Sequence, residues 1–337
     1  MTTDRVNYLN IALMAASAVA AFILPFEVFL VSYAVLGPLH YLTEISWLHD
    51  RAYFLKGKRD SLPLVLLCAA MLLLSIAHWP AAQKNETTTM LNYLAFAGAA
   101  VLLATRKSIA RVIAFALIAG LFLVVRQSEL LLIFFGVFLP TIVHVFIFTG
   151  AFIVLGALRG RSKSGGASVA VLAMCAASLL FLPGWSFHQV SSYVRTAYAP
   201  FEYLNQVMFR VFHLPMEASR DPIFQSPPGI ALMRFIAFAY LYHYLNWFSK
   251  TSIIKWNRIT MPRAVVIVSM WMALLAMYAN DSKTGVVILM VLSFAHGFLE
   301  LPLDHRTFFE LFKEMRALAA ERPGRSRQST EVQTDFA

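Results

Sequence analysis

Residues 129–163 read ELLLIFFGVFLPTIVHVFIFTGAFIVLGALRGRSK, and from Leu130 to Leu158 they contain no Asp, Glu, Lys or Arg. An α-helix needs roughly 20 apolar residues to cross the ~30 Å hydrocarbon core of a bilayer. This stretch exceeds that length and runs into the basic cluster Arg159, Arg161 and Lys163. It holds one ionisable side chain, His144, four residues after Pro140. An apolar span, a basic flank and an occasional intramembrane histidine recur along the chain.

The 337 residues are 59% hydrophobic and 14% charged, with a mean hydropathy of +0.66. Soluble domains carry about a quarter charged residues. Membrane β-barrels would show segments of about ten residues alternating apolar and polar, and none is present. The chain therefore reads as an all-α polytopic integral membrane bundle of about ten transmembrane helices. The predicted spans are 8–24, 27–48, 61–79, 88–105, 108–126, 129–156, 167–183, 229–249, 263–280 and 284–303.

Ten spans place both termini on one side. The loops on that side carry Arg51, Lys56, Lys58 and Arg59; Arg106, Lys107 and Arg111; Arg159, Arg161 and Lys163; and Lys250, Lys255, Arg258 and Arg263. The opposite short loops hold only Lys84, Arg126 and Lys283. The positive-inside rule makes the first side cytoplasmic, in a bacterial-type inner (plasma) membrane. It also accounts for the formal charge of +10 without nucleic acid as a partner.

Residues 1–304 form the predicted transmembrane domain, and 305–337 a cytoplasmic tail that is disordered after about residue 321. The first apolar run lacks an Ala-x-Ala-type cleavage site and is read as retained. The longest non-cytoplasmic connection, 184–228, contains an interfacial amphipathic helix from Pro200 to Phe212, read as a surface helix or as a lid over a cavity. Cys68 and Cys175 fall inside spans and read as packing residues.

Ionisable groups within spans are costly and mark function by default. Of nine histidines, His78, His188 and His213 lie at or beyond the non-cytoplasmic boundary. His40, His144, His243 and His296 come from spans two, six, eight and ten, six to thirteen residues from the cytoplasmic helix ends. At about 1.5 Å per residue they share one slab of the membrane. Glu27, Glu129 and Arg234 read as interfacial.

A motif is doubled as well. His40-x3-Glu44-x4-His49 in span two recurs as His296-x3-Glu300-x4-His305 in span ten. Residues i and i+4 share a helical face, so each span presents a His and a Glu together. His49 and His305, nine residues from the first histidine, join only if the helix ends first, which Pro302 makes feasible in the second copy. His40, His144, His243, His296, Glu44 and Glu300, with His49 and His305 behind them, are thus candidate ligands for one or two ions of iron, zinc or another transition metal. Glu44 and Glu300 are the candidate catalytic or bridging carboxylates. Tyr41, Thr43, Thr141, Tyr242, Tyr244, Asn246 and Asp304 are candidates to orient them. Taken singly, an intramembrane histidine is more often a hydrogen-bonded packing residue; the shared depth and the doubled motif are what favour a joint site.

Gly37-Pro38-Leu39-His40 with Glu44, and Phe238-Ala239-Tyr240-Leu241-Tyr242-His243, resemble elements of the Brp and Blh carotene-cleaving membrane oxygenases. The likeness covers some thirty residues. That family carries a second histidine four residues after the later one, where this chain has Trp247. The resemblance implies a membrane-embedded, histidine-bound iron centre that uses dioxygen on a lipidic substrate.

The leading expectation is therefore a membrane non-haem iron oxidoreductase of oxygenase, hydroxylase or desaturase type. Its partners are bilayer lipids and a hydrophobic small molecule, with electrons from a donor protein or from the substrate. The rival is an ion-coupled secondary transporter or metal carrier using the same His and Glu residues. A structural subunit without chemistry is a third reading.

Overall fold

Helix after helix begins at a residue that a helix interior rejects. Pro25, Pro63, Pro227 and Pro262 stand in the first turns of their helices, where a missing N–H breaks no intrahelical bond. Ser226 caps the Pro227 helix and Ser162 one other, by accepting from the N–H groups of Gly229 and Gly165 at 3.1 and 3.0 Å. A computed structural model describes residues 2–57, 59–77, 81–182, 189–215 and 221–320. No strand occurs among them.

The principal helices are α1 (Thr3–Ile23), α2 (Pro25–Asp50), α3 (Leu62–Ile76), α4 (Ala81–Ala104), α5 (Ser108–Val125), α6 (Glu129–Gly160) and α7 (Lys163–Phe181). There follow α8 (Ser192–Tyr198), α9 (Glu202–Val211), α10 (Pro227–Ser249), α11 (Met261–Asn280) and α12 (Ser282–Ala320). Among the described residues, eight helices are long and apolar enough to cross a membrane: α1, α2, α4 from Asn85 onward, α5, α6, α7, α11 and α12. The other two predicted spans fall on α3, an apolar helix of 15 residues, and on α10, of 23.

Helix α10 is the axis of the bundle. Every residue from Gly229 to Trp247 except Leu241 and Leu245 is buried. A helix buried on all sides needs no amphipathic pattern. It packs against α1, α2, α6 and α7, while α12 packs against α2, α3, α4, α6 and α11. At the periphery, α5 and α11 bury only Phe122 and Ile267 and turn apolar side chains outward, as lipid-facing helices do.

Two expectations change. Arg234, expected at the interface, is 1% exposed: its Nε donates to the Phe22 carbonyl (3.0 Å) and its guanidinium lies over the Phe22 ring (3.7 Å). The end of α1 supplies an acceptor and a π face together, which makes the buried cation tenable. Pro302 does not end a helix, because α12 runs through it for 39 residues.

The amphipathic segment forms α9, with Leu204, Val207 and Met208 buried and Tyr203 and Phe212 exposed. Just before it, the buried Tyr198 packs edge-on against Phe26 and Phe29. Glu129 and Arg210 pair at the surface nearby (3.5 Å). His78, His188 and the segment after residue 320 lie outside the described residues.

At the opposite, basic end, ion pairs tie neighbouring elements. Arg111 grips Asp60 through two hydrogen bonds of 2.6 and 3.0 Å, Arg263 pairs with Asp50, and Arg159 with Glu310 and Glu314. Arg111 hydrogen bonds hold the Asp60 carboxyl below the usual carboxylate range. Asp60→Asn should lower stability in detergent by about 1–3 kcal/mol, the worth of hydrogen bonds to charged groups. Since the folded-state value is depressed, the deficit should be full at neutral pH, begin to shrink as pH falls through about 3.9, and vanish only below the still lower folded-state value. Thermal unfolding of both proteins across that range checks it.

Candidate metal centre

Proline shapes two of the ligand-bearing helices. A proline ring clashes with the carbonyl four residues earlier and donates no hydrogen bond. In α2 the helix widens into a π turn over Ser32–Leu36 immediately before Gly37 and Pro38. In α6 a π-helical run covers Phe134–Phe148 around Pro140. Pro38 and Pro140 thus sit beside and in segments of wider winding, a form rare in proteins and frequent at functional sites. His40 follows the first segment and His144 lies within the second.

The four histidines expected at one depth meet at one point. His40 Nε2 lies 3.1 Å from His243 Nε2, and His144 Nε2 lies 2.9 Å from His296 Nε2. Their rings form a closed circuit, His40 to His243 to His144 to His296 and back. Centroids are 4.7, 5.2, 4.7 and 5.3 Å apart and planes are inclined by 62–80°. All four side chains are buried.

The two carboxylates of the doubled motif complete the group. Glu44 Oε2 lies 3.0 Å from His40 Nε2, and Glu300 Oε2 lies 3.7 Å from His144 Nε2. Donor atoms of His40, His243 and His296 all fall within 4.8 Å of one another, as do those of His144, His296 and Glu300. The carboxyl groups of Glu44 and Glu300 adjoin each other, with Asp304 next to them.

This donor set fits a metal ion. Imidazole nitrogens bind transition metals at about 2.0–2.1 Å, so adjacent donors on one ion stand about 3 Å apart, the separation found in both Nε2 pairs. An N–H···N hydrogen bond explains either imidazole pair alone but not the carboxylates. Glu44 Oε2, Glu300 Oε2 and both oxygens of Asp304 are buried without a hydrogen-bond donor, and no Lys or Arg pairs with them among the described residues. Carboxylates are tolerated in a low-dielectric interior when they coordinate a cation.

Groups around the ligands fix their orientation. The Nδ1–H of His243 donates to Thr149 Oγ1 (2.8 Å) in the tautomer that frees Nε2 for a metal. Tyr41 stacks on His296 (4.2 Å), and its hydroxyl lies 2.7 Å from that of Tyr244. Thr43, Thr141, Tyr242 and Asn246 serve the packing instead. Thr43 accepts from the Trp247 indole, Thr141 bonds back to the Val137 carbonyl, and Tyr242 donates to Asn10 and Asn246.

His49 and His305 stand apart. His49 is exposed and lies 3.3 Å from the Tyr53 hydroxyl. His305 Nδ1 donates to the Leu301 carbonyl (2.8 Å), and its ring packs against Phe96. Because α12 continues through Pro302, the ninth residue after His296 stays on the far face. Sequence reasoning missed Thr149. It lies five residues after His144, the π-helical spacing, and only a π run in α6 turns both toward His243. Asp304 extends the motif by one more turn, His296-x3-Glu300-x3-Asp304, and belongs to the buried carboxylate group rather than to its surroundings.

His144→Ala and His296→Ala should lose most of the bound metal by elemental analysis of purified protein, whereas His49→Ala and His305→Ala should keep it. Thr149→Val should leave stoichiometry near the wild-type value in excess metal and weaken affinity about 10–100-fold in a chelator competition.

Comparison of the chain with protein-family models, with curated proteins and with solved structures finds no match.

Proposed function

We propose that this chain is a ten-span protein of a bacterial-type plasma membrane, with both termini cytoplasmic, that oxidises a hydrophobic substrate with dioxygen. The reaction takes place at one or two iron ions held by His40, His144, His243 and His296 with Glu44 and Glu300. The observation that carries this reading is the convergence of four imidazoles and the buried carboxylates inside a membrane bundle. Nitrogen and carboxylate donors in this ratio suit iron, and helical bundles hold such ions through His and Glu on facing helices. Iron, when bound, supplies the one-electron and dioxygen chemistry that side chains do not perform.

The chain's own residues bind and orient. Thr149 fixes the His243 ring, and Tyr41 braces His296. The Tyr41 and Tyr244 hydroxyls hold a proton between them beside the ligands. Phe148 packs on His144 and Trp247 on His40, each covering one side of the ring it meets. A cavity of about 1010 Å³ reaches His40, His144, His243, Glu44 and Glu300 and gives a substrate access. No described residue of 189–226 lines it, so α8 and α9 are a packed surface and not its lid.

The likeness to the Brp and Blh oxygenases supports the same class of chemistry, because its two elements deliver His40 and His243 to the centre. At the position of that family's further histidine, the Trp247 indole donates to Thr43 Oγ1 (3.1 Å) and holds α10 to α2.

Protein purified in detergent without added metal should carry at least one iron per chain and consume dioxygen only when its substrate is present, with an oxygenated or desaturated product by mass spectrometry. Stoichiometric zinc, or turnover unchanged under argon, would falsify the iron assignment.

A further inference from the structure

The cavity that reaches the histidines is polar at its two ends and apolar between them. Its floor is the His and carboxylate centre; Leu103, Phe148, Phe152 and Ile153 are among its walls. Its mouth lies at the basic end of the bundle and is lined by Arg51, Lys56, Arg159, Lys250 and Arg306 against one carboxylate, Glu310, which Arg159 already engages at 2.7 Å. Among the described residues no carboxylate pairs with Arg51, Lys56, Lys250 or Arg306. Arg51 instead rests on the Trp47 ring and on backbone carbonyls.

Two other basic residues at this end, Arg111 and Arg263, are neutralised by Asp60 and Asp50. The mouth itself keeps an excess of positive charge, because Glu310 is the one carboxylate among its lining cations. Low-dielectric walls focus the field of such a ring on whatever enters.

We infer that the cavity binds a single-chain amphiphile with an anionic head, a carboxylate or a phosphate monoester. Its head lies among Lys250, Arg306, Arg51 and Lys56, and its hydrocarbon tail points down to the histidine centre. Lys250 stands seven residues beyond His243 on the same strand of chain, and Arg306 six beyond Glu300. The head is thus held about 10 Å from the centre along each helix, at about 1.5 Å per residue. Oxidation would fall on a carbon well along the tail and not beside the head. The volume of about 1010 Å³ sits at the upper end of the roughly 300–1,000 Å³ typical of ligand pockets and holds a single chain with its head.

The tail's reactivity rests on the function proposed above, but binding does not. The test therefore measures binding, using the full chain in phosphatidylcholine nanodiscs with empty discs as baseline. Radiolabelled dodecanoate, dodecyl phosphate, dodecanol and dodecylamine serve as probes. At least one of the two acids should bind saturably at one per chain, and the tighter identifies the head. The alcohol and the amine should show only background. Lys250→Met combined with Arg306→Gln should weaken that binding at least about tenfold, the effect of losing charge-assisted contacts.

Equal binding of dodecanol, unchanged affinity in the double variant, or full displacement by a few per cent of phosphatidic acid in the disc overturns the inference. Metal content, measured on the same samples, separates the two readings. Wild type that binds the acid but carries no metal sinks the oxidase alone, whereas a double variant with full metal and normal acid binding sinks the cationic mouth alone.

Discussion

Carboxylates buried among apolar helices are the constraint on which the rest of the structure depends. Glu44, Glu300 and Asp304 lie inside the bundle with no Lys or Arg to pair with among the described residues, and their neighbours are imidazoles. A carboxylate in such a medium is tenable when a cation and hydrogen bonds compensate it. The convergence of His40, His144, His243 and His296 supplies the donors that a metal needs to do so. Four helices of the bundle contribute to that one point.

Geometry at the centre is purchased with unusual backbone. Fifteen residues of α6 and five of α2 wind as π-helix beside prolines that an ordinary helix would expel. The wider winding lets His144 and Thr149, five apart, address the same partner on α10. The cost is met by packing, since α10 is buried along almost its whole length and α12 threads the bundle without a break. Support and site are therefore one unit: the Tyr41 ring that stacks on His296 also belongs to the main apolar core.

Charge is partitioned along the membrane normal with equal economy. The exposed acids of the basic end neutralise Arg111, Arg159 and Arg263, which fasten loops and helix ends. Arg51, Lys56, Lys250 and Arg306 line the cavity instead. Residues that orient a membrane protein during insertion thus also shape the field at its opening.

The sequence by itself determined the all-helical membrane architecture, because uninterrupted apolar runs with basic flanks have no other stable solution in a bilayer. It also pointed to the four histidines that come together. His40, His144, His243 and His296 were legible from depth alone, and Glu44 and Glu300 from i, i+4 spacing, since both follow from the rise and period of a helix. Only the tertiary structure decided what depends on winding and on neighbours. Pro302 reads as a stop but lies within a continuous helix, so His305 turns away. Arg234 reads as interfacial but is sheltered by the end of α1. Thr149 has no signal at all until α6 is seen to wind as a π-helix. Local spacing is written in the chain, whereas the phase of one helix against another is set by packing, and it is that phase which brings four rings to one point.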